Sequence, residues 1–235
     1  MNPEAMTNNN LEIVTTADGS KTIYNAEVGE HYHSRNGALQ ESRHVFVNAG
    51  LNFFLDTKHP HRVSILEVGF GTGLNFLLSA DECIARQIPL HYTGIEAYPI
   101  SADMMAQTGY DEYASPALWA SYISSYPDAL KTTVSLNSYC NLQIAHNTLL
   151  DFKTEQQYDV IYFDAFASAR QPEMWELPAI SHVVSFLKPG GIFVTYAITG
   201  NLKRMLKSLG FVIEKVPGAA GKREMLRAVK NLINN

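Results

Sequence analysis

Two short stretches of this chain concentrate residues able to do chemistry. The first, Leu66-Glu67-Val68-Gly69-Phe70-Gly71-Thr72-Gly73-Leu74-Asn75, follows an apolar run and opens a segment of helical character. Glycines at a strand-to-helix turn let the backbone bend tightly and approach a ligand closely, while the helix start offers free N–H groups. A dinucleotide fingerprint needs G-x-G-x-x-G, yet here the third glycine, Gly73, comes one residue early and Leu74 holds its place. The expected ligand therefore lacks a pyrophosphate. Glu67, just ahead of the loop, would repel a diphosphate but favours the cationic sulfonium and amino groups of S-adenosylmethionine. Glu96 ends the next apolar run, where an acidic residue accepts hydrogen bonds from ribose hydroxyls.

The second stretch, Asp159-Val160-Ile161-Tyr162-Phe163-Asp164-Ala165-Phe166, reads as a buried strand ending in a carboxylate and then an aromatic ring. In open α/β sheets the carboxyl ends of the strands form the ligand crevice, which puts Asp164 beside a methyl group to be transferred. Transfer from a sulfonium to nitrogen is an in-line displacement in which positive charge leaves sulfur and grows on the amine. A carboxylate there accepts a hydrogen bond from the amine, aims its lone pair and stabilises the developing cation. The competing reading makes Asp164 a helix cap, although Ser168 lies nearer the helix start expected at Pro172-Glu173-Met174-Trp175. Phe166 and Trp175 either stack on a flat base and shield the reaction from water, or are simple core. His31-x-His33 and His59-x-His61 alternate, but no carboxylate or cysteine motif completes either pair, so no metal is expected.

These residues need a scaffold, and the rest of the chain supplies one. Apolar runs at Val63 to Val68, Tyr92 to Ile95, Leu142 to Ala145, Val160 to Phe163 and Ile192 to Tyr196 alternate with segments of helical character, the pattern of a parallel sheet covered on both faces. Lys188-Pro189-Gly190-Gly191 is a sharp turn before the fifth run. After a helix at Leu202 to Leu209, the runs Phe211 to Val216 and Glu224 to Val229 predict an antiparallel hairpin at the sheet edge. Tyr110 to Asn137 reads as a helical insertion. Ahead of the core, Leu11 to Val14 and Thr22 to Tyr24 flank a turn at Ala17-Asp18-Gly19-Ser20, a hairpin, followed by a helix from about Ala38 to Leu55. The expected fold is a Rossmann-like class I methyltransferase with seven strands. One structural domain is expected, its extension over residues 1–56 packed on a core over 57–235. The Asn8-Asn9-Asn10 run reads as a frayed terminus.

Composition agrees with a compact globular fold. In 235 residues, 46% are hydrophobic and 17% charged, far from the signature of disorder. The start has no secretory layout, and no apolar run approaches the length of a membrane span, so a cytoplasmic location is expected. Cys83 and Cys140 suggest neither a disulfide framework nor a metal site. The net charge of −5 conceals an asymmetry: from Asn201 onward eight cations face two carboxylates, whereas the first 200 residues hold ten cations and 21 carboxylates. A basic end on an acidic body is either a polyanion patch or a solvated face.

Taken together, Glu67 to Phe76, Asp164-Ala165-Phe166-Ala167 with Pro172 to Trp175, and Gly221-Lys222-Arg223-Glu224-Met225 resemble the tRNA 5-methylaminomethyl-2-thiouridine methyltransferase family, the methyltransferase half of the bifunctional MnmC enzymes. Tyr32-His33-Ser34, Gly37-Ala38-Leu39 and Glu41-Ser42 with Val45-Phe46 match it too. The resemblance spans about Leu11 to Val229. It implies methyl transfer from S-adenosylmethionine to the amine of 5-aminomethyl-(2-thio)uridine at the tRNA wobble position, with Asp164 catalytic. It further implies Glu67, Gly69, Phe70, Gly71, Gly73, Asn75, Glu96 and Asn147 at the cofactor, and Tyr32, His33, Phe166, Trp175, Lys222 and Arg223 at the substrate, the last two as phosphate contacts. Ser168 and His146-Asn147 depart from the family pattern. A flavin-binding half is not expected, so the oxidase step that yields the amine would belong to a separate flavin-dependent oxidase or be unnecessary in the host. Competing readings are a small-molecule amine methyltransferase, an aminopropyltransferase of the polyamine synthase type, and a non-catalytic RNA-binding module on the same fold.

Overall fold

The computed structural model describes residues 10–219 and 221–232. Asn8 and Asn9 of the expected frayed terminus lie outside them. The extension begins with β1 (Leu11–Thr15), β2 (Lys21–Asn25) and the short β3 (Glu30–His31), an antiparallel three-stranded sheet in the order β1-β2-β3. Its turn is held by Asp18, whose Oδ1 accepts from the Ser20 backbone N–H at 3.0 Å and the Thr16 hydroxyl at 2.7 Å.

The expected helix at Ala38 to Leu55 is present and longer, running as α1 (Ala38–Glu41), a π-helical stretch (Ser42–Asn52) and α2 (Phe53–Lys58). The π winding buries Val45 to Val47 and Ala49 to Leu51 as two runs of three, a wider face than a 3.6-residue period gives. Gly50 lies flat on the central sheet there, since a Cβ would come within 2.9 Å of Val194 and 3.0 Å of Tyr162.

The core follows as β4 (Val63–Val68), α3 (Leu74–Ala85), β5 (Leu90–Glu96), α4 (Ala102–Ala106), α5 (Pro116–Ala129), β6 (Val134–Asn137), β7 (Cys140–His146) and β8 (Tyr158–Phe163). It closes with α6 (Leu177–Ser185), β9 (Leu187–Thr195), α7 (Gly200–Ser208), β10 (Phe211–Pro217) and β11 (Glu224–Lys230). The sheet order is β10-β11-β9-β8-β4-β5-β7-β6. From β9 through β7 the pairings are parallel, and the C-terminal hairpin joins β9 antiparallel, as its sequence predicts.

The sheet has eight strands where the sequence suggested seven. The additional strand, β6, closes the segment read as a helical insertion, and only its helical part, α5 with a 3-10 turn at Tyr110–Glu112, matches that reading. Asn137 Oδ1 accepts the Tyr139 N–H at 2.8 Å, a side-chain-stabilised turn that returns the chain antiparallel into β7. Two apolar layers flank the sheet: Val45, Leu51, Phe76, Tyr92 and Tyr162 pack on one side, and Phe163, Trp175, Ile180, Phe193 and Leu206 on the other. Among the described residues no helix is long and apolar enough to cross a membrane.

Candidate active site

Strand order reverses between β4 and β8. After β4 the chain builds outward through β5 to β7, then returns to lay β8 on the other flank of β4. Such a switch point leaves a crevice at the carboxyl ends of the strands. A cavity of about 310 Å³ opens there. Its walls come from β4 and its glycine loop, the end of β5, the residues after β7, the loop after β8 and the N-terminal extension.

The glycine loop takes the shape the crevice demands. Gly69, Gly71 and Gly73 have φ of 81, 53 and 74°, the left-handed region that side chains rarely adopt. A Cβ on Gly69 would stand 2.5 Å from the backbone oxygen of Asp164, and one on Gly71 would stand 2.7 Å from the Tyr32 ring. Gly69, Phe70 and Gly71 line the cavity. Gly73 does not: it starts α3, and a Cβ there would strike the Tyr122 hydroxyl. Its absent side chain serves packing between α3 and α5, which corrects the sequence assignment of Gly73 to the cofactor.

Glu96 stands at the end of β5 with Oε2 accepting the Gly71 N–H at 2.8 Å and Oε1 accepting the Tyr98 N–H at 2.9 Å. Burial raises its pKa, and the backbone donors oppose that rise. The carboxylate is thus fixed at the cavity wall with lone pairs remaining for ligand hydroxyls. Asn147 also lines the cavity and is exposed; its N–H donates to the Glu96 carbonyl at 3.1 Å.

Asp164 occupies the end of β8 and lines the same cavity. It caps no helix, since the following 3-10 turn (Pro172–Trp175) and α6 start from Gln171 and Glu176. Its Oδ2 accepts from Asn75 Nδ2 at 2.8 Å, and the same nitrogen donates to Glu67 Oε1 at 2.8 Å. Tyr92 donates its hydroxyl to Glu67 Oε2 at 2.8 Å. Burial and the nearby Glu41 charge push the Asp164 pKa up to about 8, against the Asn75 hydrogen bond and the Lys222 charge, which lower it. Glu67 is 0% exposed and does not line the cavity; burial first, then Asp164, holds its pKa well above the usual carboxylate range. Glu67 and Asn75, read from sequence as cofactor contacts, lie beneath the site, where they aim Asp164.

The remaining assignments divide in the same way. Tyr32, His33 and Phe166 line the cavity, with Tyr32 edge-on to Phe166 at 5.4 Å between centroids. Trp175 is core: its Nε1–H donates to the Phe166 carbonyl at 2.8 Å and its ring packs on Phe163 and Tyr196, so it supports the loop from behind. Lys222 is tied inward, with Nζ 2.7 Å from Glu41 Oε1 and 4.1 Å above the Tyr196 ring, an arrangement that does not suit a phosphate contact. Arg223 is exposed.

Sequence reasoning gave no role to Glu41, Tyr196 or Gln171. Glu41 Oε2 accepts the Ser34 N–H at 2.9 Å, next to the Tyr32-His33 wall. The Tyr196 hydroxyl donates to the Ala165 carbonyl at 2.9 Å, and Gln171 Oε1 accepts the Phe166 N–H at 3.2 Å. A charge on the buried face of a helix was the one available signal, and it pointed to Glu41.

The glycine cradle, the fixed Glu96 carboxylate and the cavity at the switch point fit a nucleoside-bearing cofactor of the S-adenosylmethionine kind. A family of S-adenosyl-L-methionine-dependent methyltransferases matches residues 112–231, just over half of the chain. The tRNA 5-methylaminomethyl-2-thiouridine biosynthesis bifunctional protein MnmC of Marinobacter nauticus is 31% identical over 214 residues, 86% of this chain and 34% of that protein. The MnmC protein of Methylobacillus flagellatus is 32% identical over 213 residues, 86% of this chain and 33% of that protein. The chain thus spans about a third of the length of the curated relatives it matches. In fold it resembles MNMC2 from Aquifex aeolicus, with a TM-score of 0.74 at 24% identity, covering 100% of this chain and 73% of that one.

Proposed function

Because the chain belongs to the S-adenosyl-L-methionine-dependent methyltransferases, we propose that it methylates the primary amine of 5-aminomethyl-(2-thio)uridine at the wobble position of tRNA. The observation that carries the reading is Asp164: a carboxyl group at the cavity wall, aimed by Asn75, with Lys222 the cation whose charge lowers its pKa. S-adenosylmethionine, when bound, supplies an electrophilic methyl group on a sulfonium. Asp164 accepts a hydrogen bond from the amine, orients its lone pair and receives the proton released as the N–C bond forms. Its pKa, pushed up to about 8, makes it a stronger proton acceptor than an ordinary carboxylate and leaves only a minority of it ionised at neutral pH.

Other cavity residues divide the remaining work. Glu96 holds the ribose hydroxyls and Asn147 reaches the adenine edge, while Gly69 to Gly71 give the backbone close approach. Phe166 and Tyr32 offer an aromatic wall for a flat base and exclude water. In the basic C-terminal region, Arg204, Lys207 and Arg223 are exposed and would contact phosphates, whereas Arg227 is paired with Glu214 and Lys230 with backbone carbonyls. Support for reading the groups 1–56 and 57–235 as one unit comes from Tyr32 and His33 of the extension, which line the wall. A flavin-dependent oxidase is the class of enzyme that would release the amine, and both would act in the cytoplasm.

The test is transfer of label from S-adenosylmethionine to tRNA carrying 5-aminomethyluridine, beside fully modified tRNA and putrescine. Label in the aminomethyl tRNA alone is the expected result. Label in putrescine alone would replace this reading with a small-amine methyltransferase.

A further inference from the structure

We infer that His33 presents a fixed Nε2–H donor to the cavity, for an oxygen acceptor on one of the two bound reactants; the assignment of those reactants rests on the methyl-transfer reading above. A count of hydrogens leads there. Thr22 Oγ1 accepts the His33 backbone N–H at 3.1 Å and also lies 3.1 Å from His33 Nδ1. A hydroxyl carries one hydrogen and two lone pairs. If Nδ1 bore the ring proton, Oγ1 would accept twice and its own hydrogen would have no acceptor, at a residue that is 0% exposed. If Nδ1 is the acceptor, every group at this contact is satisfied: the Thr22 hydroxyl donates to Nδ1, and the ring proton resides on Nε2.

His33 is one of the residues that line the cavity although it is only 9% exposed, and among the described residues Nε2 has no protein hydrogen-bond partner. A polar atom in that situation is built for a ligand. The tautomer defines the ligand's chemistry. Nε2–H offers no lone pair, so His33 donates and cannot take the proton from the amine, which leaves that proton to Asp164. Burial lowers the His33 pKa to about 4, against the Glu41 and Asp18 charges that raise it, so the ring is a neutral donor at physiological pH. Two oxygens fit: the carboxylate at the methionine end of the cofactor, and a carbonyl on the ring that carries the acceptor amine. Both would lie near Tyr32, whose ring packs over Gly71 on one side and against Phe166 on the other.

Nitrogen-15 NMR of the unliganded protein tests the tautomer without any reaction. The expected His33 pattern is an unprotonated Nδ1 and a protonated Nε2, unchanged between about pH 6 and 9. A protonated Nδ1 overturns the inference. A second arm compares His33→Phe, which lacks the donor, with His33→Gln, which keeps an N–H. His33→Phe should weaken one ligand by about tenfold, the effect of one lost hydrogen bond, and His33→Gln should recover most of it. A rise in the calorimetric Kd for S-adenosylmethionine assigns the acceptor to the cofactor carboxylate, and a rise in KM alone assigns it to the substrate carbonyl. A change of less than about twofold in both overturns the donor role. Failure of tRNA methylation with the NMR pattern intact would refute the substrate assignment and leave the donor standing.

Discussion

Asn75→Asp keeps the shape of the side chain that joins Asp164 to Glu67 and inverts its chemistry. The native Nδ2 donates to both carboxyl groups at 2.8 Å, and Asn75 is 2% exposed. If the introduced carboxyl ionised, a buried charge would stand between two further acidic groups without the amide donor that joins them. If it stays protonated, it keeps one O–H to give and loses only one contact. At pH 5 the cost should therefore be about 1 kcal/mol, one hydrogen bond. Holding the new carboxyl protonated costs about 1.4 kcal/mol for each pH unit above its unfolded pKa. The added cost from pH 5 to pH 8 is thus at most about 4 kcal/mol. It is limited to roughly 3 kcal/mol by the alternative of leaving buried groups unsatisfied, at about 1–3 kcal/mol each. The sign follows from a folded pKa raised above the unfolded one: stability is present at low pH and lost as pH rises. Urea unfolding of variant and wild type at both pH values measures the difference directly, with the wild type's own pH dependence subtracted. An equal deficit at pH 5 and pH 8, or none at pH 8, would refute the role of Asn75 as the donor that holds the two carboxyls.

Other consequences follow from the same geometry. Gly71→Ala would drive a Cβ to 2.7 Å from the Tyr32 ring at a φ of 53°, so the calorimetric Kd for S-adenosylmethionine should rise at least about tenfold. Methyl transfer should increase with pH through about 8 as Asp164 ionises, and that rise should be missing from any residual rate of Asp164→Asn. Lys222→Met removes the cation that lowers the Asp164 pKa and leaves Glu41 unopposed, moving the limb above 8. Glu41→Gln should move it the other way, and pH–rate profiles of the two variants should therefore bracket the wild type.

The parallel core was legible because its strands are buried on both faces and read as unbroken apolar runs between helical segments. Strand β6 was not, since it has four residues and is defined by a turn at Asn137 rather than by a pattern of its own. The π winding of Ser42–Asn52 was equally hidden, because a broad apolar helix reads the same in either winding. At the site, Asp164, Gly69, Gly71 and Glu96, singled out by motif position, line the crevice. It could not separate residues that face the void from those one layer down, which is where Glu67, Asn75, Gly73 and Trp175 lie. Nor does sequence disclose pairs made across 181 positions, such as Glu41 with Lys222, which ties an expected phosphate contact to a buried carboxylate.

The claim on which everything else depends is that Asp164 receives the amine in a site that binds the cofactor without it. Single-turnover transfer by Asp164→Asn at saturating S-adenosylmethionine, with cofactor affinity measured in the same preparation, tests it most directly. The expected result is a Kd within about threefold of wild type and a rate reduced by at least about a hundredfold, the scale of a lost general base. A transfer rate near that of wild type would remove Asp164 from the chemistry and contradict the claim.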